Sequence, residues 1–122
     1  MITAVIYPKC STCRNAIKWF DDHKIAYQVR HIIDEALTAS ELKALHKQSG
    51  LPIKRFFNTS GIKYRELGLS NKIVDMTDDE CYDLLATDGM LVKRPLVYSD
   101  TGLITLGFKP VEYDFIWKES DF

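Results

Sequence analysis

The chain has 122 residues, of which 46% are hydrophobic, with 16 Lys+Arg against 17 Asp+Glu and a net charge of -1. We expect one globular domain over residues 1–122, with a core large enough to fold without disulfide bonds or a structural metal. The near-zero charge argues against nonspecific binding to nucleic-acid phosphates, and no apolar run approaches the roughly 18 residues that span a bilayer.

The first third of the chain predicts a strand, a helix and a second strand. Ile2–Tyr7 is a short β-branched run that ends at Pro8, as a buried strand does. From Ser11 to about His23 apolar residues recur at helical spacing, and Ile25–Ile33 has the composition of another strand. This order predicts a βαβ unit, with two parallel strands joined by a right-handed crossover.

The middle of the chain, about residues 36–90, predicts a mostly helical insertion. Two capping boxes, Thr38-Ala39-Ser40-Glu41 and Thr77-Asp78-Asp79-Glu80, each mark the start of a helix. The first helix should run to Ser49 and the second to about Asp88. Between them we expect two short helical segments, after Pro52 and over Ile62–Leu67.

The last third has the pattern of a hairpin followed by a helix. Leu96–Tyr98 and Leu103–Leu106 flank the turn-forming residues Ser99-Asp100-Thr101-Gly102, which predicts an antiparallel pair of strands. Pro110 then begins a closing helix that runs through Trp117. The order βαβ, helices, ββα predicts an α/β protein with a small mixed sheet of the thioredoxin-like type.

Cys10-Ser11-Thr12-Cys13 lies where the first predicted strand passes into the first predicted helix. Unpaired backbone N–H groups and the positive end of the helix dipole favour a thiolate in the first helical turn. Cys10 is therefore the predicted nucleophile. Cys13 follows about one turn later on the same face, close enough for a disulfide, and is the predicted resolving thiol. Arg14 adds positive charge nearby.

Other interpretations of the cysteines stay open. Cys13 shares an apolar stripe with Ala16 and Phe20, so a purely structural role is one alternative. A zinc site is another, but the further ligands available to Cys10 and Cys13 do not have zinc-finger spacing. Those candidates are His23, His31, His46 and Cys81. We expect no metal, solvated histidines, and a Cys81 that is an inert core residue.

Arg94-Pro95 precedes the first strand of the predicted hairpin. A proline at this place is ordinarily an edge or turn residue. In thioredoxin-like folds the matching proline is cis and faces the cysteine at the helix start. Arg94 would then present its guanidinium group to the thiolate or to an anionic substrate.

Four segments resemble the ArsC/Spx/YffB family of thioredoxin-fold proteins, and the resemblance covers nearly the whole chain. They are YPKCSTCRNAIKWF, FFNTSGIKYREL, LLATDGMLVKRPL and TLGF. This family contains arsenate reductases, redox-controlled transcription regulators and relatives without an assigned function. The chain is most similar to the arsenate-reductase-like branch of Gram-positive bacteria. The resemblance implies the fold, whereas function has to be argued from the site.

In arsenate reductases of this type, a cysteine at the helix start attacks arsenate and three arginines bind the oxyanion. Cys10 matches that cysteine, and Arg94 matches the arginine before the proline. The mid-chain arginine falls at or near Asn58 and the third falls near Lys109, so two of the three are not matched. Lys109 or Arg65 are the available substitutes, although a lysine does not reproduce the bidentate fork of an arginine.

With no targeting signal or membrane span predicted, we expect a cytoplasmic protein without a cofactor. The resemblance implies a thiol oxidoreductase similar to arsenate reductase. Its substrate would be a small oxyanion or a thiol or disulfide compound. A cellular thiol reductant, either glutathione with glutaredoxin or thioredoxin, would reopen the disulfide formed in each cycle. The predicted site comprises the catalytic residues Cys10, Cys13 and Arg94 and the substrate-binding residues Ser11, Thr12, Arg14 and Pro95.

The alternative is a regulator similar to Spx. In that case the Cys10–Cys13 pair is a redox switch, and the partner is the C-terminal domain of the RNA polymerase α subunit. Such a protein acts through the polymerase and has no DNA binding of its own. We expect a monomer in both cases, and no contact with a membrane.

Overall fold

The computed structural model describes residues 1–118, and the chain divides into two compact units. One unit comprises Met1–His31 together with the chain from Arg94 onward, and the other comprises Ile32–Lys93. The first unit carries the sheet. The second is helical, and the predicted insertion at about residues 36–90 falls within it.

The first unit is built on a four-stranded mixed sheet with the strand order β2-β1-β3-β4. Its strands are β1 (Ile2–Ile6), β2 (Gln28–His31), β3 (Leu96–Ser99) and β4 (Ile104–Leu106). Strand β1 is parallel to β2 and antiparallel to β3, which is antiparallel to β4. A βαβ unit that continues into an antiparallel hairpin is the predicted thioredoxin-like arrangement, and this prediction is confirmed.

Strand β1 is central in the sheet, and all five of its residues are buried. A central strand that is covered on both faces takes a continuous apolar run rather than an alternating one. Helix α1 (Ser11–Asp22) contributes Cys13 and Phe20, both fully buried, to the same core. Trp117 is also fully buried there, and its Nε1–H donates a hydrogen bond to the Thr105 hydroxyl at 3.1 Å.

The second unit contains four helices and three short 3₁₀ segments. The helices are α2 (Ala39–Ser49), α3 (Ile62–Glu66), α4 (Leu69–Lys72) and α5 (Asp78–Thr87), and the 3₁₀ segments are Ile53–Phe56, Ile73–Asp75 and Gly89–Leu91. Both predicted capping boxes are present, at Thr38 before α2 and at Thr77 before α5. Helix α4 and the last two 3₁₀ segments were not predicted, because elements of three or four residues carry no periodic signal.

Two predicted elements differ in extent from the observed ones. A strand was expected over Ile25–Ile33, but only Gln28–His31 pairs with β1, because the chain enters the helical unit at Ile32. The closing helix is α-helical only over α6 (Pro110–Tyr113) and continues as a π-helix over Asp114–Lys118. Within residues 1–118 no helix combines the length and the apolar character needed to cross a membrane.

His46 joins α2 to α5 and is not the solvated histidine that the sequence suggests. Its Nε2 lies 2.8 Å from the carbonyl oxygen of Leu51, and its Nδ1 lies 2.6 Å from the Tyr82 hydroxyl. Because a carbonyl oxygen only accepts, the Nε2 atom carries the proton and Nδ1 accepts from Tyr82. The half-buried His46 ring therefore forms hydrogen bonds with Tyr82 and Leu51 at the same time.

Replacing His46 with leucine is expected to lower the free energy of unfolding by about 2 kcal/mol, because the Tyr82 hydroxyl and the Leu51 carbonyl each lose a hydrogen-bond partner. Urea unfolding followed by circular dichroism measures the change. Lys47→Leu, at an exposed neighbouring position on α2, is the control and should change stability by less than about 0.5 kcal/mol. Equal stabilities of the two variants would contradict the role given to His46.

Candidate functional site

Cys10 stands at the start of helix α1, where its side chain acts as the N-cap. Strand β1 ends at Ile6, the chain turns through Pro8, and the Cys10 N–H donates to the Tyr7 carbonyl at 3.0 Å. The Cys13 N–H donates to the Cys10 sulfur at 3.4 Å. N-caps are usually oxygen side chains that accept from the first turn. A sulfur in this position receives the same N–H groups, and it accepts best as a thiolate.

Cys13 lies directly behind Cys10 on the buried side of α1. It is fully buried in the core of the sheet unit, whereas Cys10 is only partly exposed to solvent. All three cysteines of the chain are free thiols in this structure. Cys13 therefore belongs to the core and also lies beside the Cys10 sulfur.

The surroundings of Cys10 favour its charged form. Burial alone would raise the pKa of this thiol, but four other influences outweigh it and lower the pKa below its usual value. They are hydrogen bonds from the Cys13 side chain and the Cys13 backbone N–H, the positive charge of Arg94, and the Thr12 backbone N–H. Helix α1 supplies the Thr12 and Cys13 groups, and the segment before β3 supplies Arg94.

Cys13 has the opposite tendency. Burial raises the pKa of the Cys13 thiol to about 12, and the neighbouring Cys10 adds to this effect. The Tyr7 backbone N–H and the Arg94 charge act against it but do not outweigh burial. As the pH rises, Cys10 is therefore the first of the two thiols to lose its proton, while Cys13 keeps its own and donates it to the Cys10 sulfur as a hydrogen bond.

Arg94 approaches the cysteines from the strand side of the site. The Arg94–Pro95 peptide bond is cis, and buried Pro95 accepts a 2.9 Å hydrogen bond from the Gly107 N–H through its carbonyl oxygen. The Arg94 guanidinium carbon lies 5.4 Å from the centre of the Tyr7 ring, within the range of a cation–π contact. Tyr7 was predicted only as the end of a strand, since nothing in the local sequence marks its contact with Arg94.

The other predicted site residues have different surroundings. Ser11 and Thr12 are exposed in the first turn of α1, and the Thr12 N–H faces the Cys10 sulfur. Arg14 is exposed, and its Nη1 donates to the Pro8 carbonyl at 3.1 Å, so this guanidinium group is held by the loop before Cys10. The structure thus brings Thr12 to Cys10 through its backbone.

The candidates for the two unmatched arginines and for a metal site are also placed. Lys109 is exposed at the N-cap of α6, and Arg65, in the helical unit, donates to the Ser60 carbonyl at 3.5 Å. No group of three or more His, Cys, Asp or Glu side chains within residues 1–118 is arranged to hold a metal ion. Cys81 is fully buried, as expected for a core residue.

Alkylation of Cys10 by iodoacetamide is expected to rise with pH around a midpoint below that of an unperturbed cysteine thiol. Only the thiolate reacts, so a lowered pKa raises the rate at a given pH, and the rate falls as the pH drops through that lowered pKa. Mass spectrometry of the labelled peptides measures each cysteine separately. Cys81 is the internal control, because burial and then Asp78 and Glu80 raise the pKa of its thiol.

A matched pair of substitutions separates the contribution of Cys13. Cys13→Ala removes the side-chain hydrogen bond to Cys10 and should move the midpoint of Cys10 alkylation upward. Cys13→Ser keeps an O–H donor at the same place and should move it less. An unchanged midpoint in the alanine variant would show that the Cys13 side chain does not stabilise the thiolate.

A βαβ unit that continues into an antiparallel hairpin, with a cysteine at the first helix start and a cis-proline before β3, defines a thioredoxin-fold protein. The profile of the ArsC family matches residues 5–116, and the chain belongs to that family. This confirms the resemblance seen in the four sequence segments.

Three relatives of known sequence are an uncharacterised protein and two regulators. The chain is 48% identical over 116 residues to the uncharacterised protein YusI of Bacillus subtilis, covering 95% of this chain and 98% of YusI. It is 30% identical over 111 residues to the regulatory protein MgsR of Bacillus subtilis, covering 91% and 86% of the two chains. It is 28% identical over 103 residues to the global transcriptional regulator Spx of Staphylococcus epidermidis, covering 84% and 77%.

Two solved structures are similar over most of their length. One is a putative ArsC family related protein from Bacteroides fragilis, with a TM-score of 0.89 and 49% identity over 93% of this chain and 95% of that one. The other is a possible arsenate reductase from Streptococcus mutans, with a TM-score of 0.84 and 44% identity over 89% and 92%.

Proposed function

We propose that this protein is a cytoplasmic, monomeric thiol-dependent oxidoreductase in which Cys10 is the nucleophile and Cys13 the resolving thiol. One observation carries the proposal. The Cys10 sulfur, whose pKa is lowered, sits at the N-cap of α1 with the protonated Cys13 thiol behind it and the Arg94 charge acting on it. An exposed surface thiol has none of these three features, and a purely structural cysteine does not need them.

With arsenate as substrate, the Cys10 thiolate attacks arsenic and an S–As bond forms. One hydroxyl group leaves as water, taking the proton that Cys13 holds. The Cys13 thiolate produced in this way attacks the Cys10 sulfur, the S–S bond forms, and the S–As bond breaks. The two sulfurs lose two electrons and arsenic gains them, so the product is arsenite, whose oxygens take protons from solvent to give arsenous acid. An external thiol reductant then reopens the Cys10–Cys13 disulfide.

The same residues suit a disulfide substrate. The Cys10 thiolate attacks one sulfur of the substrate, and the other sulfur leaves as a thiolate that takes the Cys13 proton. The Cys13 thiolate then attacks the Cys10 sulfur, the Cys10–Cys13 disulfide forms, and the first substrate sulfur leaves as a thiolate that takes a proton from solvent. The N–H groups of the first turn of α1 and the Arg94 guanidinium group hold the developing negative charge, while Ser11 and Thr12 line the approach. Pro95 and Arg14 complete the proposed substrate-binding set.

Arsenate is the less favoured of these substrates, because only Arg94 of the three family arginines is matched. A hydrogen bond to a charged group contributes roughly 1.5 to 3 kcal/mol, so two missing arginines could weaken oxyanion binding by about two orders of magnitude or more. Turnover measurements therefore have to decide whether the substrate is an oxyanion or a disulfide.

The experiment measures reduction of arsenate and of a mixed disulfide of glutathione by the wild-type protein, with glutathione and glutaredoxin or with thioredoxin as the reductant. We expect turnover of at least one substrate. Dependence on Cys13, tested with Cys13→Ser, shows whether the internal thiol or the external one resolves the intermediate. No turnover of either substrate with either reductant would refute the enzyme proposal.

A second candidate is a redox-gated binding protein, favoured by the similarity to the regulators MgsR and Spx. In this proposal the Cys10–Cys13 disulfide alters affinity for the C-terminal domain of the RNA polymerase α subunit, and the protein does not bind DNA by itself. Biolayer interferometry with the isolated domain tests it, using the oxidised protein, the reduced protein and Cys10→Ser. Absence of binding in every state would exclude this candidate.

A further inference from the structure

A cavity of about 320 Å³ opens on the helical unit, and its lining comes from two stretches of that unit. Residues 52–59 form most of the wall, and Lys93 comes from the other end of the unit. The lining residues are Pro52, Lys54, Arg55, Phe57, Thr59 and Lys93. A volume of this size is at the lower end of the range for small-molecule sites.

Backbone hydrogen bonds hold the two stretches together. The Lys93 N–H donates to the Phe56 carbonyl at 2.8 Å, and the Asn58 N–H donates to the Leu91 carbonyl at 2.7 Å. Between these two bonds, Phe57 pairs with Val92 as an isolated antiparallel bridge. The cavity is therefore built on paired backbone, so its walls are in place before any ligand arrives.

The lining has three cationic side chains and no acidic one. Lys54 and Arg55 are exposed and Lys93 is half-buried, and within residues 1–118 none of the three forms an ion pair. Other lysines of the same unit do have acidic partners, since Lys43 lies 3.7 Å from Asp79 and Lys63 lies 3.9 Å from Asp88. Three like charges around one concavity repel each other, and an anion bound between them relieves that repulsion.

We propose that this cavity binds a small molecule that carries at least two carboxylate or phosphate groups. The planar Arg55 guanidinium group can grip one such group with two parallel hydrogen bonds, and Lys54 and Lys93 supply point charges for the second. The Thr59 hydroxyl is a further donor, and Pro52 and the buried Phe57 form an apolar wall for the body of the ligand. The site uses no thiol, so it goes beyond the proposed function and does not depend on it.

The test is a titration of the ¹⁵N-labelled protein with citrate and, separately, with pyrophosphate, followed by two-dimensional NMR. Sodium chloride at the same ionic strength is the reference titrant. We expect saturable shifts of the amide signals of residues 54–59 and 93 with at least one of the two anions. The stronger ligand identifies carboxylate or phosphate as the preferred group. Shifts that sodium chloride reproduces, or shifts confined to residues 10–14, would overturn the proposal.

Charge-removing variants show whether the lining residues carry the binding. Arg55→Gln and Lys93→Gln should each raise the dissociation constant about fivefold, as expected for a partly exposed charge pair. Lys47→Gln, at an exposed position of α2 outside the cavity, should leave it unchanged. Cys10→Ser should also bind the anion like the wild type, because the cavity contains no thiol. The test of anion binding is therefore independent of the test of the thiol chemistry. Equal effects of Arg55→Gln and Lys47→Gln would refute the site.

Discussion

Replacing Cys10 with serine is expected to abolish reductase turnover, lowering it by roughly 10³-fold or more, because the covalent step needs a sulfur nucleophile. A serine hydroxyl at the N-cap of α1 keeps the hydrogen bond from the Cys13 N–H, so the helix start should remain intact. The hydroxyl does not ionise near neutral pH and cannot form a disulfide. The fast-alkylating thiol and the Cys10–Cys13 disulfide should therefore disappear together.

Two measurements make this prediction specific. Turnover is measured with the reductant in excess, and disulfide formation is followed by mass spectrometry after mild oxidation. Cys81→Ser is the matched control, because Cys81 is a buried cysteine outside the predicted site, and it should retain turnover if the variant folds. Circular dichroism establishes folding for both variants. Substantial turnover by Cys10→Ser would mean that another group is the nucleophile.

Replacing Arg94 with glutamine is expected to have the second largest effect, lowering kcat/KM about 10- to 100-fold. The positive charge of Arg94 is one of the influences that lower the pKa of Cys10, so its loss raises that pKa and reduces the thiolate fraction at neutral pH. The bound anion also loses a charge-assisted hydrogen bond, which contributes roughly 1.5 to 3 kcal/mol. Both losses act in the same direction.

The pH profile separates the role of Arg94 from a general loss of structure. In Arg94→Gln the midpoint of Cys10 alkylation should move to higher pH, whereas Arg94→Lys keeps the charge and should move it less. Arg14→Gln is the control for a second arginine near the helix start, since the Arg14 side chain is held by the Pro8 carbonyl. If Arg14→Gln shifted the midpoint more than Arg94→Gln, the assignment of Arg94 to the thiolate would be wrong.

Local sequence signals predicted the helix starts and the hairpin well. The two capping boxes carry both halves of a reciprocal hydrogen bond within four residues, so neither Thr38 nor Thr77 needs the rest of the chain to begin a helix. The hairpin turn at Ser99–Gly102 is equally local, and Gly102 has a φ of 94° that few other residues adopt. These elements were correct because their determinants lie within a few residues of each other.

The extents of other elements depend on distant contacts. Strand β2 ends at His31 because pairing with β1 stops where the chain enters the helical unit, and the apolar Ile32 and Ile33 continue the strand pattern beyond that point. His46 was expected to be solvated because its position in α2 says nothing of Tyr82, a residue of another helix that bonds to it. Hydrophobic periodicity reports only local preferences. The end of β2 and the hydrogen bonding of His46 both depend on residues that are distant in the sequence.

The candidate site also combines features set by local sequence with features set by distant residues. By itself the sequence determined the Cys10-x-x-Cys13 spacing at the junction of β1 and α1, since a strand followed by a helix and three-residue spacing are local properties. Only the tertiary structure decided that Cys13 is fully buried, that Arg94 acts on the Cys10 sulfur, and that Tyr7 lies beside Arg94. The antiparallel pairing of β3 with β1 brings the Arg94 segment to the helix start, and that pairing joins residues at opposite ends of the chain.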